Sequence, residues 1–309
     1  MKRAIRFQIS PRLIREAFKQ SRKTKVVGVD GQTIQDYKRN LAKRLREQRD
    51  QLTSGTYRPS AVRRVYIPKR KGGKRAIGIP TVNDFIVQTM LKNELYPRLE
   101  KLFHPNSYGH RQKQQAREEA IRVAGRRCLR YDWAVVLDIQ SFGDSVDHKL
   151  LMNMLKRHIR NRWVLLYTER TIKSPERTKS GALIQKKKGL AQGNKLNFLL
   201  GNFYLHGIFD SWMKKNRSHV PFERYTDDIV CHCKSEAEAK ALLSQIRGRL
   251  KAHGLVVHPD KTKIVYCKDG TRKGSYPNVK FEYLGASFQS RRIKSGSGKA
   301  TNRFAPASG

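Results

Sequence analysis

Acidic residues are scarce in this 309-residue chain: 25 Asp and Glu stand against 66 Lys and Arg, leaving a formal charge of +41. A compact fold under that self-repulsion needs a polyanion to relieve it, and nucleic acid is the natural partner. No run approaches the ~18 consecutive apolar residues of a membrane span. The N-terminal stretch also lacks the apolar region of a secretory signal, and Ser10-Pro11 followed by Leu13, Ile14 and Phe18 reads as a capped helix rather than a transit peptide. A cytoplasmic protein, of a bacterial or organellar interior and without a membrane partner, is expected. Four cysteines, Cys128, Cys231, Cys233 and Cys267, show no Cys-x-x-Cys spacing and are too few for a disulfide framework. In Cys231-His232-Cys233, strand alternation puts both thiols on one face and the imidazole on the other, which is a poor start for a metal site.

What is present suffices for a folded protein: 38% hydrophobic residues, with 12 Phe and 12 Tyr, can build one large domain or two small ones. The basic residues are spread along the chain, as at Lys74-Arg75, Arg126-Arg127, Lys186-Lys187-Lys188 and Arg291-Arg292. That spread suits a protein that tracks a long duplex through its phosphates. A structural RNA binder would share this composition, so chemistry must separate the two.

Apolar periodicity predicts a basic amphipathic helix from Thr33 to Leu52, and a hairpin turning at Lys71-Gly72-Gly73-Lys74 between Val65–Ile67 and Arg75–Pro80. Helices are expected over Asp84–Phe103, Glu118–Cys128, Asp147–Ile159 and Leu196–Trp212, and after Ser235. Strands are expected over Trp133–Ile139, Phe222–Tyr225, Ile229–Cys233, Lys263–Cys267 and Lys280–Phe288, and a flexible tail from Gln289. This order implies an α+β protein with a sheet backed by helices and a smaller helical and hairpin part before it.

Carboxylates gather where strands end. Asp138 closes the Trp133–Ile139 strand, and Asp227-Asp228 occupies a link too short for anything except a tight hairpin. Asp is a common turn residue, but in so basic a chain these acids beside apolar strands, with Asp144 and Asp147 near, form a ready site for two divalent ions.

Tyr225-Thr226-Asp227-Asp228 resembles the Tyr-x-Asp-Asp motif of reverse transcriptases, and its surroundings resemble the group II intron-encoded reverse transcriptase/maturase. Further blocks follow in that family's order: Gly28-Val29-Asp30-Gly31, Gly55-Thr56-Tyr57-Arg58-Pro59, Ile67-Pro68-Lys69, Ile77–Thr81, His104–Gly109, Asp138-Ile139, Gly189-x-x-Gln192-Gly193, Gly254-Leu255 before Lys261-Thr262-Lys263, and Tyr283-Leu284-Gly285. The resemblance implies a right-hand polymerase with fingers over residues 1–130, palm over 131–288 and a flexible basic tail over 289–309, without the helical thumb. It implies that Asp138, Asp227 and Asp228, helped by the Ile139 carbonyl, hold two Mg²⁺. Lys69 and Arg75 would grip the triphosphate of an incoming dNTP, Phe142, Gly143, Gln192 and Gly193 would border the nucleotide, and Lys261 or Lys263 would protonate the leaving pyrophosphate. The implied partners are an RNA template, a DNA or RNA primer, a structured intron-type RNA and a separate thumb-containing chain. The implied activity is RNA-directed DNA polymerisation; the alternative is a non-catalytic or impaired maturase that assists intron folding.

The chain departs from the family pattern near the nucleotide pocket. Gly143 stands where an aromatic ring blocks a ribose 2′-OH, Ala191 and Asn194 flank Gln192-Gly193, Asn197-Phe198 replaces Ser-Pro, and His110 and Phe85 replace an aromatic and an arginine. Gly143 is expected to leave the ring's volume open, and Phe142, on an extended segment, to point away from it.

Overall fold

Short polar caps set where the helices begin. The structure, a computed structural model, describes residues 6–68, 72–111, 115–294 and 300–307. Its elements open with α1 (Pro11–Ser21), α2 (Ile34–Arg39), α3 (Leu41–Thr53), β1 (Val62–Pro68), β2 (Lys74–Ile79), α4 (Val82–Glu100) and α5 (Ala116–Cys128). Next come β3 (Trp133–Leu137), the helical turn α6 (Phe142–Ser145), α7 (His148–His158), α8 (Arg162–Ile172), β4 (Glu176–Arg177) and β5 (Leu183–Ile184). Helix α9 (Lys195–Leu205) runs through a π-helical turn (His206–Asp210) into α10 (Ser211–Asn216), followed by β6 (Phe222–Tyr225), β7 (Asp228–Cys233) and α11 (Glu236–Lys251). Strands β8 (Lys263–Tyr266), β9 (Lys280–Tyr283), β10 (Ala286–Lys294) and β11 (Ala300–Pro306) complete the order. Ser10, Thr81, Asp147 and Ser235 each accept a first-turn amide of α1, α4, α7 and α11, and Thr33 and Asp36 close a capping box on α2. Among the described residues no helix is long and apolar enough to cross a membrane.

The chain divides into two compact units, one of Met1–Leu102 and Gly143–Gly201, the other of Phe103–Phe142 and Asn202–Gly309. A single cut after residue 130 does not match this division. Helix α5 packs on β6, β7 and β11, which takes it into the second unit, whereas α8 packs on α4 and α7 in the first.

In the first unit β1 and β2 form the expected hairpin in antiparallel register (Val65 opposite Ile77), and β4 and β5 extend it to the order β2-β1-β4-β5. Two blocks that resembled family motifs meet here for structural reasons. The Tyr57 hydroxyl donates to buried Asp84 at 2.6 Å, joined by the Thr81 hydroxyl at 2.7 Å and the Ser60 amide at 3.1 Å. Arg170 donates to the carbonyls of Gly55 and Tyr57. A Cβ at Gly28 would lie 2.6 Å from the Thr81 Cα, so only glycine fits there.

The second unit is built on the antiparallel sheet β6-β7-β3-β8. All five residues of β3 are buried, as befits a strand paired on both edges. Ala134 and Val136 share a core with Ala120, Ala124 and Cys128 of α5 and with Phe281, Phe288 and Phe304. Val135 and Leu137 alternate to the opposite face, and α11 packs on β3, β7 and β8.

Five expectations need correction. The Lys280–Phe288 strand is two antiparallel strands, β9 and β10. The Thr33–Leu52 helix is two helices, broken at Asn40. The apolar Leu196–Trp212 segment is interrupted by the π-helical turn. Helix α8 has no counterpart among the expected helices, because Trp163, Val164, Tyr167, Thr168, Thr171 and Ile172 are all buried and little polar contrast remains. The tail from Gln289 is not free: β10 pairs with β11 in a three-stranded sheet with β9, turned at Leu284-Gly285, where both φ are positive as a type I′ turn requires. Phe304 is fully buried, with its ring centroid 6.0 Å from Phe281, which itself stacks on Phe288 at 4.6 Å. One buried anchor, Phe304, in an otherwise polar sequence was too sparse a signal. Phe304→Ala should therefore lower the unfolding free energy by about 3–5 kcal/mol, as for other buried aromatics; denaturant titration checks this, and an unattached tail would show no change.

Candidate active site

Antiparallel pairing carries three carboxylates to one end of the second unit's sheet. Leu137 of β3 faces Ile229 of β7, so the next step along each strand sets Asp138 beside Asp228. Tyr225 pairs with Asp228, which confines the turn to Thr226 and Asp227. Thr226 has φ +57°. A β-branched residue in the left-handed region costs on the order of 1–3 kcal/mol unless its surroundings enforce it. Its hydroxyl donates to the Tyr225 carbonyl at 2.6 Å and to Asp227 Oδ1 at 3.0 Å.

The electrostatics are those of crowded negative charge. Burial, outweighing the hydrogen bond from Thr226, raises the Asp227 carboxyl, and Asp138 raises it further. Although Asp228 keeps solvent contact, the protein around it, then Asp227 and Asp138, push its carboxyl up to about 7. Lys261 opposes this accumulation: its ammonium donates to Asp138 Oδ2, and that bond raises the lysine's own pKa. The Asp138 carbonyl accepts the His258 amide at 2.8 Å, and Ile139 bridges Val257, so the loop carrying Lys261 is tied to the end of β3. Of the two lysines, Lys261 joins the carboxylates, while Lys263 lies within β8 opposite Val136 with an exposed side chain. Among the described residues no three His, Cys, Asp or Glu side chains stand in a coordinating arrangement. The donor chemistry nonetheless fits Mg²⁺: hard carboxylate oxygens in mutual repulsion suit a small divalent cation.

Arg75, Gly143, Gln192 and Gly193 lie in the first unit, and Phe142 in the second. Arg75 is exposed on β2 opposite Ile67, and Lys69 lies outside the described residues. The Gln192 carbonyl accepts the Gly78 amide at 2.9 Å, and Gly193, at φ +119°, would drive a Cβ to 2.7 Å from Ile77 Cγ2, so the Gln-Gly step lies flat on β2. Leu190 donates to the Gly143 carbonyl at 2.7 Å. A Cβ on Gly143 would sit 3.1 Å from the Gln192 Nε2. The volume beside Gly143 is thus bordered by an amide rather than open. The reading of Phe142 is also corrected: it lies in the helical turn α6 after Ser141 (φ +47°), not on an extended segment, and is buried with its ring 6.5 Å from Tyr204. Two departures from the family pattern have a local cause, since Asn194 caps α9 by accepting the Asn197 amide at 2.7 Å and Asn197 donates to the Ala191 carbonyl at 2.7 Å.

Residues 67–288, well over half of the chain, match the family described as reverse transcriptase (RNA-dependent DNA polymerase). The chain belongs to the reverse transcriptase family. Protein YkfC of Escherichia coli (strain K12) is 31% identical, with 87% of this chain and 81% of that protein covered. The group II intron-encoded protein LtrA of Lactococcus lactis subsp. cremoris is 28% identical over 69% of this chain but only 36% of its own length. The Saccharomyces cerevisiae putative COX1/OXI3 intron 1 protein is 25% identical over 53% of this chain and 20% of its own. Apo telomerase from Candida tropicalis shares the fold at TM-score 0.58 and 13% identity, covering 75% of this chain and 47% of that one. The architecture is accordingly α+β, a right-hand polymerase of fingers and palm whose antiparallel palm sheet is backed by helices.

The sequence reading missed a polar network beneath the Tyr-x-Asp-Asp hairpin. Arg224, fully buried, donates Nε to Asp210 Oδ1 and Nη2 to Asp210 Oδ2, both at 2.6 Å. Nη2 also donates to the Ser107 hydroxyl at 2.9 Å, and Nη1 to Asn202 Oδ1 at 2.7 Å and the Thr226 carbonyl at 3.1 Å. Burial alone would raise the Asp210 carboxyl, but the charge and hydrogen bonds of Arg224 prevail and hold it below the usual range. The signal was present: Asp210 is the single acid of the apolar Leu196–Trp212 segment, and Arg224 interrupts a short strand. A second buried set joins His232 to Glu223 at 2.6 Å and Glu223 to Arg127, while the four cysteines remain free thiols in the core.

The elevated Asp228 carboxyl has a stability consequence. In the unfolded chain it ionises near the ordinary carboxylate value, whereas in the fold it keeps its proton until about pH 7. The folded state therefore binds more protons between those values, and stability falls as pH rises through that window. In chelator, Asp228→Asn should raise the melting temperature at pH 8 and change it little at pH 3; equal effects at both pH values would contradict the coupling.

Proposed function

We propose that this chain is an RNA-directed DNA polymerase, adding dNTPs to a primed RNA template by two-metal nucleotidyl transfer. The observation that carries this reading is the delivery of Asp138 and Asp227-Asp228 by adjacent strands to one end of the palm sheet. Asp138, Asp227 and Asp228, with the Ile139 carbonyl, would hold two Mg²⁺, which when bound activate the attacking hydroxyl and stabilise the leaving oxygen of a phosphoryl transfer. Lys261, a protonated amine on Asp138, supplies a counter-charge and a proton for the leaving pyrophosphate. Arg75 and Lys69 are assigned to the triphosphate, where a guanidinium and an ammonium match dense negative charge. Gln192 and Gly193 are assigned to the nucleotide, with the flat Gln-Gly step allowing close approach. The +41 charge supports an extended template–primer and a structured intron-type RNA as partners.

A second reading, a non-catalytic maturase that binds intron RNA, is favoured by the departures around Gln192. Primer extension with Mg²⁺ separates the two: the wild type should synthesise DNA, and Asp227→Ala should reduce synthesis at least 1,000-fold. No synthesis by either, with tight intron binding, would establish the maturase instead. Gly143 generates a further expectation, because a 2′-OH there meets the Gln192 amide rather than a ring. The wild type should discriminate between dNTP and rNTP weakly, below about tenfold, and Gly143→Phe should restore discrimination by crowding the sugar, since a ~1 Å misplacement costs about 100-fold in rate. Single-nucleotide incorporation measures this; strong dNTP preference unchanged by the substitution would refute it.

A further inference from the structure

We infer that Arg224 is a positioning residue for the catalytic carboxylates, acting through the peptide that joins Thr226 to Asp227. The inference rests on the polymerase reading of Asp138, Asp227 and Asp228 given above. Arg224 itself touches no carboxylate of that set.

A guanidinium has five N–H donors in a rigid plane, and here all five are used. Three fix the group in the core: two on Asp210 and one on Asn202. The fourth reaches Ser107. The fifth leaves the core and holds the Thr226 carbonyl. That carbonyl belongs to the same planar unit as the Asp227 amide, so fixing its oxygen sets how the Asp227 backbone leaves the turn. Thr226 needs such a hold, because a β-branched residue does not adopt φ +57° by preference.

The surroundings are shaped to the same end. The Arg224 backbone exchanges hydrogen bonds with the segment before the palm, donating to the Asn106 carbonyl at 2.9 Å and accepting from Tyr108 at 2.8 Å. Gly109 continues that segment under the turn, where a Cβ would come within 2.5 Å of the Thr226 nitrogen. The His104–Gly109 block is thus the underside of the hairpin tip. On the opposite side, the π-helical turn carries Asp210 at its last position, and His206, one turn earlier, stands 3.4 Å from Asp210 Oδ2. Inserted π-helical turns of this kind recur at functional sites because they re-aim a side chain without ending the helix.

Lysine at 224 keeps the charge but offers no planar fork, so it cannot serve Asp210 and Thr226 together. The test uses the full chain and Mn²⁺ as a paramagnetic stand-in for Mg²⁺, with binding followed by electron paramagnetic resonance. Arg224→Lys should raise the Mn²⁺ dissociation constant 10- to 100-fold, the usual effect of losing an outer-shell partner, and should lower kcat for nucleotide addition with little change in KM. Ser107→Ala, which removes one of the five contacts, should raise the dissociation constant about threefold and guards against misfolding of the lysine variant. Thr226→Gly in the Arg224→Lys background should recover most of the Mn²⁺ affinity, because glycine adopts the left-handed conformation without help. Arg127→Lys, which weakens the other buried pair on β6, should lower the melting temperature without altering Mn²⁺ binding. Unchanged Mn²⁺ affinity in Arg224→Lys and Ser107→Ala, or failure of Thr226→Gly to restore it, would overturn the positioning role. Failure of the wild type itself to bind Mn²⁺ at millimolar concentration would refute the polymerase reading, and the inference with it.

Discussion

Like charges brought together repel, and the palm of this protein is organised around making three of them stay together. Asp138 raises the carboxyl pKa of Asp227, Asp227 and Asp138 raise that of Asp228, and the Lys261 ammonium, held on Asp138, opposes the accumulation. Such a group persists only when the backbone beneath it cannot relax. Strand β3, paired on both edges, fixes Asp138; the two-residue turn of β6 and β7 fixes the other two. The core under both strands is alanine-, valine- and phenylalanine-rich and closed to water. Hydrophobic burial on this scale, at about 25 cal/mol per Å² of apolar surface, outweighs a few kcal/mol of carboxylate repulsion.

Much of this was legible before any coordinates. The apolar run Trp133–Ile139, the brevity of the link around Asp227-Asp228, and the helix starts at Ser10 and Ser235 are local signals that the fold obeys. The surroundings of Gly143 and Phe142 were less legible, because each depends on the fold around it. Gly143 reads as an empty space until Gln192, many residues later, is seen against it. Phe142 reads as strand-like until the positive φ of Ser141 turns the chain into a helix. Arg224 and Asp210 were visible as anomalies, a cation and an anion in apolar segments, but nothing in their spacing announces that they are partners. Pairings of this kind are tertiary, and periodicity does not encode them.

The departures from the family pattern divide along the same line. Asn194 accepts the Asn197 amide at the start of α9 and Asn197 donates to the Ala191 carbonyl, so these two departures have a local structural role. Gly143 instead lets the Gln192 side chain border the place where its own side chain would start. The motif blocks divide likewise: Tyr57 and Thr81 meet on a buried aspartate, and Gly109 packs under a turn. Several residues that mark the family are therefore packing solutions.

The central place of β3 has a further consequence for biosynthesis. Its hydrogen-bonding neighbours, β7 from Asp228 and β8 from Lys263, are made long after Leu137 has left the ribosome. At about 5–20 residues per second, an uncharged Trp-Ala-Val-Val-Leu segment waits several seconds with both edges unpaired. A short β-prone segment in that state is a template for association with other chains. The flanking Arg126, Arg127, Arg130 and Asp132 are charges placed where they would discourage it, so the basic composition that suits a polyanionic ligand also keeps the nascent palm soluble.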